Sequence, residues 1–288
     1  MPETATSAQT PDSAATRERA ETQDGAATRD GAATRDGAAK TWDSADMMNV
    51  AAARELHDGD VCLVGVGPPN LAANLARRTH APNCRLVYES GAIDAKPRRL
   101  PLSIGDDDLA ATATAVVSVP EMFNYWVGAG RIDVGFLGAA QLDRYGNLNT
   151  TVIGDHDNPK VRLPGAGGAP EIAAAAGRVI VIVKQSPRTF VEHIDFVSSV
   201  GYGPTGRERN ASGAGPTLVI TDHGVLEPDP ETNELTLTRL HPGVTVDQAK
   251  QATGWPLKVA DSIKEVDPPT DTELTALRSL RNREPIDA

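Results

Sequence analysis

In the segment "RLVYESGAIDAKPRRLPLSIGDDDL", Arg85 to Leu109, one glutamate ends an apolar run and two small residues, Ser90 and Gly91, follow it. A carboxylate in that position can cap a turn, hold the hydroxyls of a ribose, or attack a carbonyl carbon. Upstream, "VCLVGVGPPN" places Gly65, Val66 and Gly67 after a second apolar run. Glycines that follow a strand leave backbone N–H groups open to a crevice, which suits an oxyanion as well as a phosphate. A carboxylate at the end of the neighbouring strand would face the same crevice, and the small residues beside it would let a reacting group approach. Together these are the parts of a nucleophile with its oxyanion donors.

The same stretch imitates a dinucleotide-binding unit: strand, Gly-x-Gly turn, helix, second strand, and an acid at its end. Two departures count against nicotinamide or flavin binding. Asn70 stands where the third glycine belongs, and Pro68-Pro69 occupies the helix start, each proline removing an N–H that pyrophosphate would need.

Other polar residues are weighed the same way. In "GAAQLDRYGNLN", a hairpin turn accounts for Gly146 and Asn147 through their tolerance of positive φ, while Gln141 is carried as a substrate contact. Arg98 and Arg99 are expected to pair with Asp106 to Asp108; the alternative is that they act on Glu89 or on an acidic substrate. Arg207 and Arg209, in "GPTGRERN", are expected to pair with Glu208 or meet a subunit, with phosphate binding as the alternative. The histidines at 57, 80, 156, 193, 223 and 241 show no metal-ligand spacing, and two cysteines cannot build a zinc site, so no metal is expected. Ser90 lacks the Gly-x-Ser-x-Gly elbow of serine hydrolases.

These residues need elements to hold them. Trp42 to Leu56 carries apolar residues at helical spacing behind Asp43, a capping type. "VCLVGVG" (61–67) reads as a strand, "PNLAANLARRTH" as a helix and "CRLVYE" (84–89) as the next strand. Residues 130–155 begin as a strand and continue into a hairpin around Tyr145-Gly146-Asn147. "RVIVIVK" (178–184) has the composition of a central strand buried on both faces. Two short strands are expected within "PTLVITDHGVLEPDPETNELTLTRLHPG", and a terminal helix at "TDTELTALRSLRN". Alternating strands and helices predict an α/β layered sheet. No linker follows residue 40, so 41–288 is expected to be one folded domain. Residues 1–40, with their DGAATR repeat, have no apolar face and are expected to be a disordered tail.

Composition sets the outer limits. Hydrophobic residues make up 40% of the chain and aromatics only 4%, so the core must be aliphatic. A formal net charge of -11 opposes nucleic-acid binding. No uncharged apolar run approaches the roughly 18 residues of a membrane span, and no secretory segment opens the chain. Cys62 and Cys84 lie in strand regions and make no disulfide framework, which fits a reducing cytoplasm.

Six segments in order, "GVGPPNLAANLARRTHAPN", "VYESGAIDAKPRRLPLSIGD", "GAAQLDRYGNLNTTVIGD", "RLPGAGGAPEIA", "FVEHIDFVSSVGYGPTGRER" and "LVITDHGVLEPD", resemble the class I coenzyme A transferases. Within that family they look most like β subunits of the glutaconate type. The resemblance implies a single three-layer open sheet and a separate α subunit in a hetero-oligomer. It implies a ping-pong exchange between an acyl-CoA and a small carboxylic acid, with Glu89 forming first an acyl anhydride and then a glutamyl-CoA thioester. Coenzyme A is then substrate and covalent intermediate, and no cofactor is bound permanently. Thioester energy is retained throughout, so no ATP is required. By the same resemblance the loops "GVGP" (65–68) and "GAGGA" (165–169) flank the site. Val66 and Gly168 would give oxyanion N–H groups, and Gly65, Gly67, Ser90, Gly91, Gln141, Gly167 and Ala169 would line the substrate. Relatives that open rings or hydrolyse thioesters lack the glutamate, so its presence favours transfer; hydrolysis through water attack on the anhydride is the alternative. A non-catalytic assembly subunit is a further reading, opposed by the intact Glu89 and glycine loops.

Overall fold

In the computed structural model, which describes residues 41–203 and 211–285, helix α1 (Ser44–Arg54) starts where the sequence places it. The Asp43 carboxylate accepts from the Asp46 N–H at 2.8 Å, and Asp46 returns the contact to the Asp43 N–H at 3.1 Å. This reciprocal cap satisfies two donors that a helix start leaves open. The tail through residue 40, with Arg207 and Arg209, lies outside the described residues.

The next elements are β1 (Val61–Leu63), α2 (Pro68–Arg78), β2 (Arg85–Val87), β3 (Ala92–Ile93), α3 (Asp107–Thr112) and β4 (Ala115–Val116). A short helix, α4 (Val119–Glu121), runs into a π-helix, Met122–Val127, before β5 (Val134–Leu137). Two side hairpins follow, β6 (Gln141–Leu142) with β7 (Leu148–Asn149), and β8 (Val152–Gly154) with β9 (Pro159–Arg162). Then come α5 (Ala169–Ala175), β10 (Arg178–Ile182), β11 (Pro216–Ile220), β12 (Gly224–Pro228), β13 (Leu235–Leu240), α6 (Val246–Gln251), β14 (Lys258–Glu265) and α7 (Asp271–Arg281).

Ten strands form one sheet in the order β14-β13-β12-β11-β10-β5-β1-β2-β3-β4. Its centre, β2-β1-β5-β10-β11, is parallel throughout. Those strands are short apolar runs because both of their faces are covered. On one face Cys62, Leu86, Phe136 and Ile180 pack with Met47, Leu75 and Leu277 of α1, α2 and α7. On the other, Leu63, Val87, Leu137 and Val181 pack with Met122, Val127 and Ile172 of the π-helix and α5. Each large aliphatic side chain so buried contributes about 1.5–3 kcal/mol. The expected α/β three-layer open sheet is what the chain forms.

Two readings of the sequence need correction. The segment 216–240 holds three strands rather than two, because the Thr221 N–H donates to the Gly224 carbonyl at 2.9 Å and closes an extra tight turn. Strand β14 went unread, since an exposed edge strand of mixed residues carries little apolar signal. Cys62 and Cys84 are both buried and free. Among the described residues no helix is long and apolar enough to cross a membrane.

The winding of the chain fixes where a ligand can enter. From β1 the chain moves to β2 on one side, then returns to place β5 on the other side of β1. The loops leaving the carboxyl ends of β1 and β5 therefore diverge and open a crevice, the usual binding position in open α/β sheets. Gly65–Gly67 follows β1 and Gly138–Ala140 follows β5 at that end of the sheet.

Candidate active site

Glu89 sits on a hairpin loop between β2 and β3. The Tyr88 N–H donates to the Ala92 carbonyl at 3.0 Å and the Gly91 N–H to the Tyr88 carbonyl at 2.9 Å, which leaves Glu89 and Ser90 at the tip. Gly91 closes the loop at φ 103°, a left-handed value. A β-carbon there would lie 3.0 Å from the carbonyl carbon of Val117 and nearer still to its oxygen. Both backbone groups of Gly91 are also bonded, so it shapes the loop and has no free group to offer a substrate. Tyr88 is fully buried, its hydroxyl donating to Asn70 Oδ1 at 2.9 Å on the α2 side of the sheet. Alternation along the strand sends the next side chain, Glu89, to the opposite face.

There the carboxylate meets Gly168. A β-carbon on Gly168 would lie 3.3 Å from Glu89 Oε1 and 2.5 Å from Phe123 Cε1. The bare α-carbon thus provides the space that lets the carboxylate and the Phe123 ring pack against one helix start. Phe123 is carried by the π-helix, whose widened turn includes a bond from the Gly128 N–H to the Phe123 carbonyl at 2.7 Å. Glu89 has no hydrogen bond or ion pair among the described residues. Burial, and secondly the nearby negative charge of Glu171, hold its carboxyl above the usual carboxylate range. Ser90, beside it, is half-buried, and its hydroxyl also has no partner among the described residues.

Of the two glycine loops, the one holding Gly168 lies against Glu89, and the backbone groups of the loops differ in what they can offer. The N–H groups of Val66 and Gly168 make no hydrogen bond among the described residues, and Val66 is 46% exposed. Gly168 caps α5, its carbonyl accepting from the Ile172 N–H at 3.1 Å. The Ala169 N–H donates to the Ala166 carbonyl at 3.1 Å and is taken up within the loop. Gly67 and Gly167 have positive φ, at 84° and 53°, and so need to be glycine for the backbone alone. Gly65 does not, and no atom lies within 4 Å of where its β-carbon would be. Nothing in the fold requires glycine at 65.

Gln141 is not free to meet a substrate. Its Nε2 donates to Asp195 Oδ2 at 3.0 Å, and its Oε1 accepts from Asn149 Nδ2 at 2.7 Å and the Asp195 N–H at 3.0 Å. At Tyr145–Asn147 only Gly146 takes a positive φ, 69°; Asn147 acts through its side chain, donating to Asp143 Oδ2 and the Gly203 carbonyl. Arg98 pairs with Asp108, with Nε 2.7 Å from Oδ1, as the sequence led one to expect. Helix α2 does begin with prolines in its first two positions, which strips donors from the point where a dinucleotide pyrophosphate would sit.

One residue beside Glu89 was missed. Phe123 touches Gly168, and the signal for it was Phe123, Tyr125 and Trp126 clustered in a chain with 4% aromatics.

A coenzyme A transferase family match spans residues 45–252, and the chain belongs to that family. It is 56% identical to the β subunit of 3-oxoadipate CoA-transferase from Pseudomonas knackmussii, over 84% of this chain and 94% of that one. The β subunit of glutaconate CoA-transferase from Acidaminococcus fermentans is 34% identical over 82% of this chain and 91% of its own. The crystal structure of glutaconate coenzyme A-transferase from that organism superposes with a TM-score of 0.77 at 32% identity, covering 84% of this chain and 95% of the other. Of these two relatives, the glutaconate type that the motifs resemble is the more distant.

Proposed function

We propose that this chain is the β subunit of a transferase that moves coenzyme A between an acyl-CoA and 3-oxoadipate or a closely similar dicarboxylic acid, with Glu89 as the nucleophile. The observation that carries the reading is a half-buried carboxylate with no partner among the described residues, packed against Gly168 beside a free backbone N–H. A carboxylate stripped of water and of protein donors is more basic and more nucleophilic than a hydrated one. The 56% identity to a chain of a 3-oxoadipate enzyme supports the choice of acid.

The steps are those that membership of the family implies for Glu89. A Glu89 oxygen attacks the thioester carbonyl, the C–S bond breaks, and CoA leaves as thiolate with a mixed anhydride formed on Glu89. The thiolate attacks the glutamyl carbonyl and the first acid departs as carboxylate, leaving a glutamyl-CoA thioester. The incoming acid attacks that thioester to form a new anhydride. The thiolate then attacks the new acyl carbonyl, which restores Glu89. Each addition places negative charge on a carbonyl oxygen, and the N–H groups of Val66 and Gly168 are the free donors to receive it. One such donor is worth about 2.7–4 kcal/mol in acyl transfer.

An α subunit is expected to close the open side. The relatives are themselves single subunits of their enzymes, and Val116, Val119 and Tyr125 stand exposed beside the residues that touch Gly91 and Gly168. To test the mechanism, the full complex is incubated with acyl-CoA and no acceptor acid, then reduced with borohydride and digested. The mark is expected at Glu89 in the peptide LVYESGAIDAKPR. Labelling of any other carboxylate, or none, overturns the assignment.

A further inference from the structure

An open cleft of about 940 Å³ lies on the face of the sheet opposite the Glu89 carboxylate, between the carboxyl-terminal half of α2, the start of α7 and the segment after β3. Its lining includes Asn74, Arg77, Arg78, Lys96, Arg98 and Ser279, with Asp271 its sole carboxylate. In a chain of net charge -11, four cations around one cleft are a local reversal of sign. Two of them are occupied: Arg98 by Asp108, and Arg78 by Ser279 Oγ at 3.1 Å and the Pro285 carbonyl at 3.3 Å. Lys96 stands 3.8 Å from Asp94, at the limit of an ion pair, and is largely exposed.

Arg77 is the unsatisfied member. Its Nη1 donates to the Ala95 carbonyl at 3.0 Å, its Nε is buried with no acceptor, and no carboxylate pairs with it among the described residues. The Nε is out of reach of the cleft, but Nη2 has no partner among the described residues and is not buried, so it is the nitrogen an anion in the cleft would meet. The planar fork of Arg77 suits a carboxylate or phosphate, and Lys96 adds a mobile positive charge at the rim. The volume falls within the range of small-molecule sites, roughly 300–1,000 Å³.

We propose that this cleft is an accessory binding site for a small polyanion bearing carboxylate or phosphate groups, with Arg77 as its anchor. It is separate from the acyl-transfer site. The cleft side of α2 carries Asn74, which bonds Asn70 and through it the hydroxyl of Tyr88, while Glu89 leaves the other face of the same strand. Arg77 also steadies Ala95, whose N–H donates to the Leu86 carbonyl at 3.1 Å, so a substitution there loosens the β2–β3 hairpin as well. A rim variant is therefore needed beside it.

Isothermal titration of the full chain in its native complex, at ionic strength fixed with sodium chloride, tests the site. Inorganic pyrophosphate represents phosphate sources, citrate represents carboxylates, and coenzyme A is titrated as a third arm. Saturable binding of pyrophosphate or citrate is expected at one per chain, weakened about tenfold in Arg77→Gln and in Lys96→Gln and unchanged in Glu89→Gln. Whichever probe binds tighter names the ligand class. Absence of saturable binding, or binding undiminished in Lys96→Gln with the fold intact, overturns the proposal. So does binding that Glu89→Gln abolishes, because the anion would then occupy the transfer site.

Discussion

The hairpin after β2 and the hairpin after β5 each hold a carboxylate out of water, and they treat it in opposite ways. Asp143, on the β6–β7 turn, is buried and accepts from the N–H groups of Tyr145 and Asn147 at 2.9 and 3.1 Å and from Asn147 Nδ2 at 2.8 Å. Glu89, on the β2–β3 turn, accepts nothing among the described residues. Burial raises both carboxyls, so the direction of the shift does not separate them. Partners do. A buried carboxylate with three donors holds a turn together, whereas one with none among the described residues suits the proposed nucleophile. The neighbours of the two follow suit: Gln141 and Asn149 are bonded to each other, while the Ser90 hydroxyl and the N–H groups of Val66 and Gly168 have no partner among the described residues.

That contrast is strongest at the carboxylate itself. Glu89→Gln keeps the shape and loses the proposed nucleophile, so steady-state transfer should fall by at least about 10⁴-fold. Glu89→Asp, which withdraws the carboxylate by one methylene, should lose on the order of 10²-fold. Comparable transfer in either variant would place Glu89 in the scaffold beside Asp143.

Gly168→Ala comes next, because the added methyl would meet the Phe123 ring and crowd Glu89 Oε1. Turnover should drop by roughly 10²-fold, with about 1–3 kcal/mol lost in denaturant unfolding from the overpacking. Gly65→Ala separates the readings more finely. Its methyl enters open space, so the unfolding midpoint should hold while kcat/KM falls about tenfold through a blocked ligand approach. If Gly65→Ala keeps full kcat/KM, the loop is a turn and nothing more.

On the other hairpin the expectation reverses. Gln141→Ala leaves Asp195 and Asn149 without their partner and should cost about 1–3 kcal/mol of stability, with kcat near the wild-type value in protein that remains folded.

The smallest effect is a pH dependence of stability. With its folded pKa above the unfolded value near 4.5, Glu89 binds more protons in the native state across the interval between the two. Its contribution is present below 4.5 and is lost as pH rises through the folded pKa. Glu89→Gln lacks that term. The variant should therefore melt higher than wild type at pH 7–8, and the gap should close near pH 4 in calorimetry. The kcat/KM of wild type should decline as pH drops through the same window, because the nucleophile takes up its proton.

Much of this was legible beforehand because it rests on local chemistry. Asp43 before an apolar period caps α1, "RVIVI" makes β10 the sheet centre, and Glu89-Ser90-Gly91 after an apolar run makes a turn with an acid at its tip. The assignments that moved were those needing distant partners. Gln141 read as a substrate contact because its saturation by Asp195 spans 54 positions of sequence. Phe123 went unseen because its meeting with Gly168 depends on how a π-helix and α5 dock on one face of the sheet. Strand β14 was invisible because an exposed edge needs no apolar run.

The sequence by itself determined the layered α/β class, the caps and the central strands, since each follows from side-chain period, backbone freedom or charge within a few residues. Only the tertiary structure decided which polar groups stay free. The strand order that brings β5 back across β1 opens the crevice, Gly168 and Phe123 enclose the Glu89 carboxylate, and the side hairpin ties up Gln141. A hydrogen bond satisfied or left open depends on atoms far apart in the chain, and no local pattern encodes it.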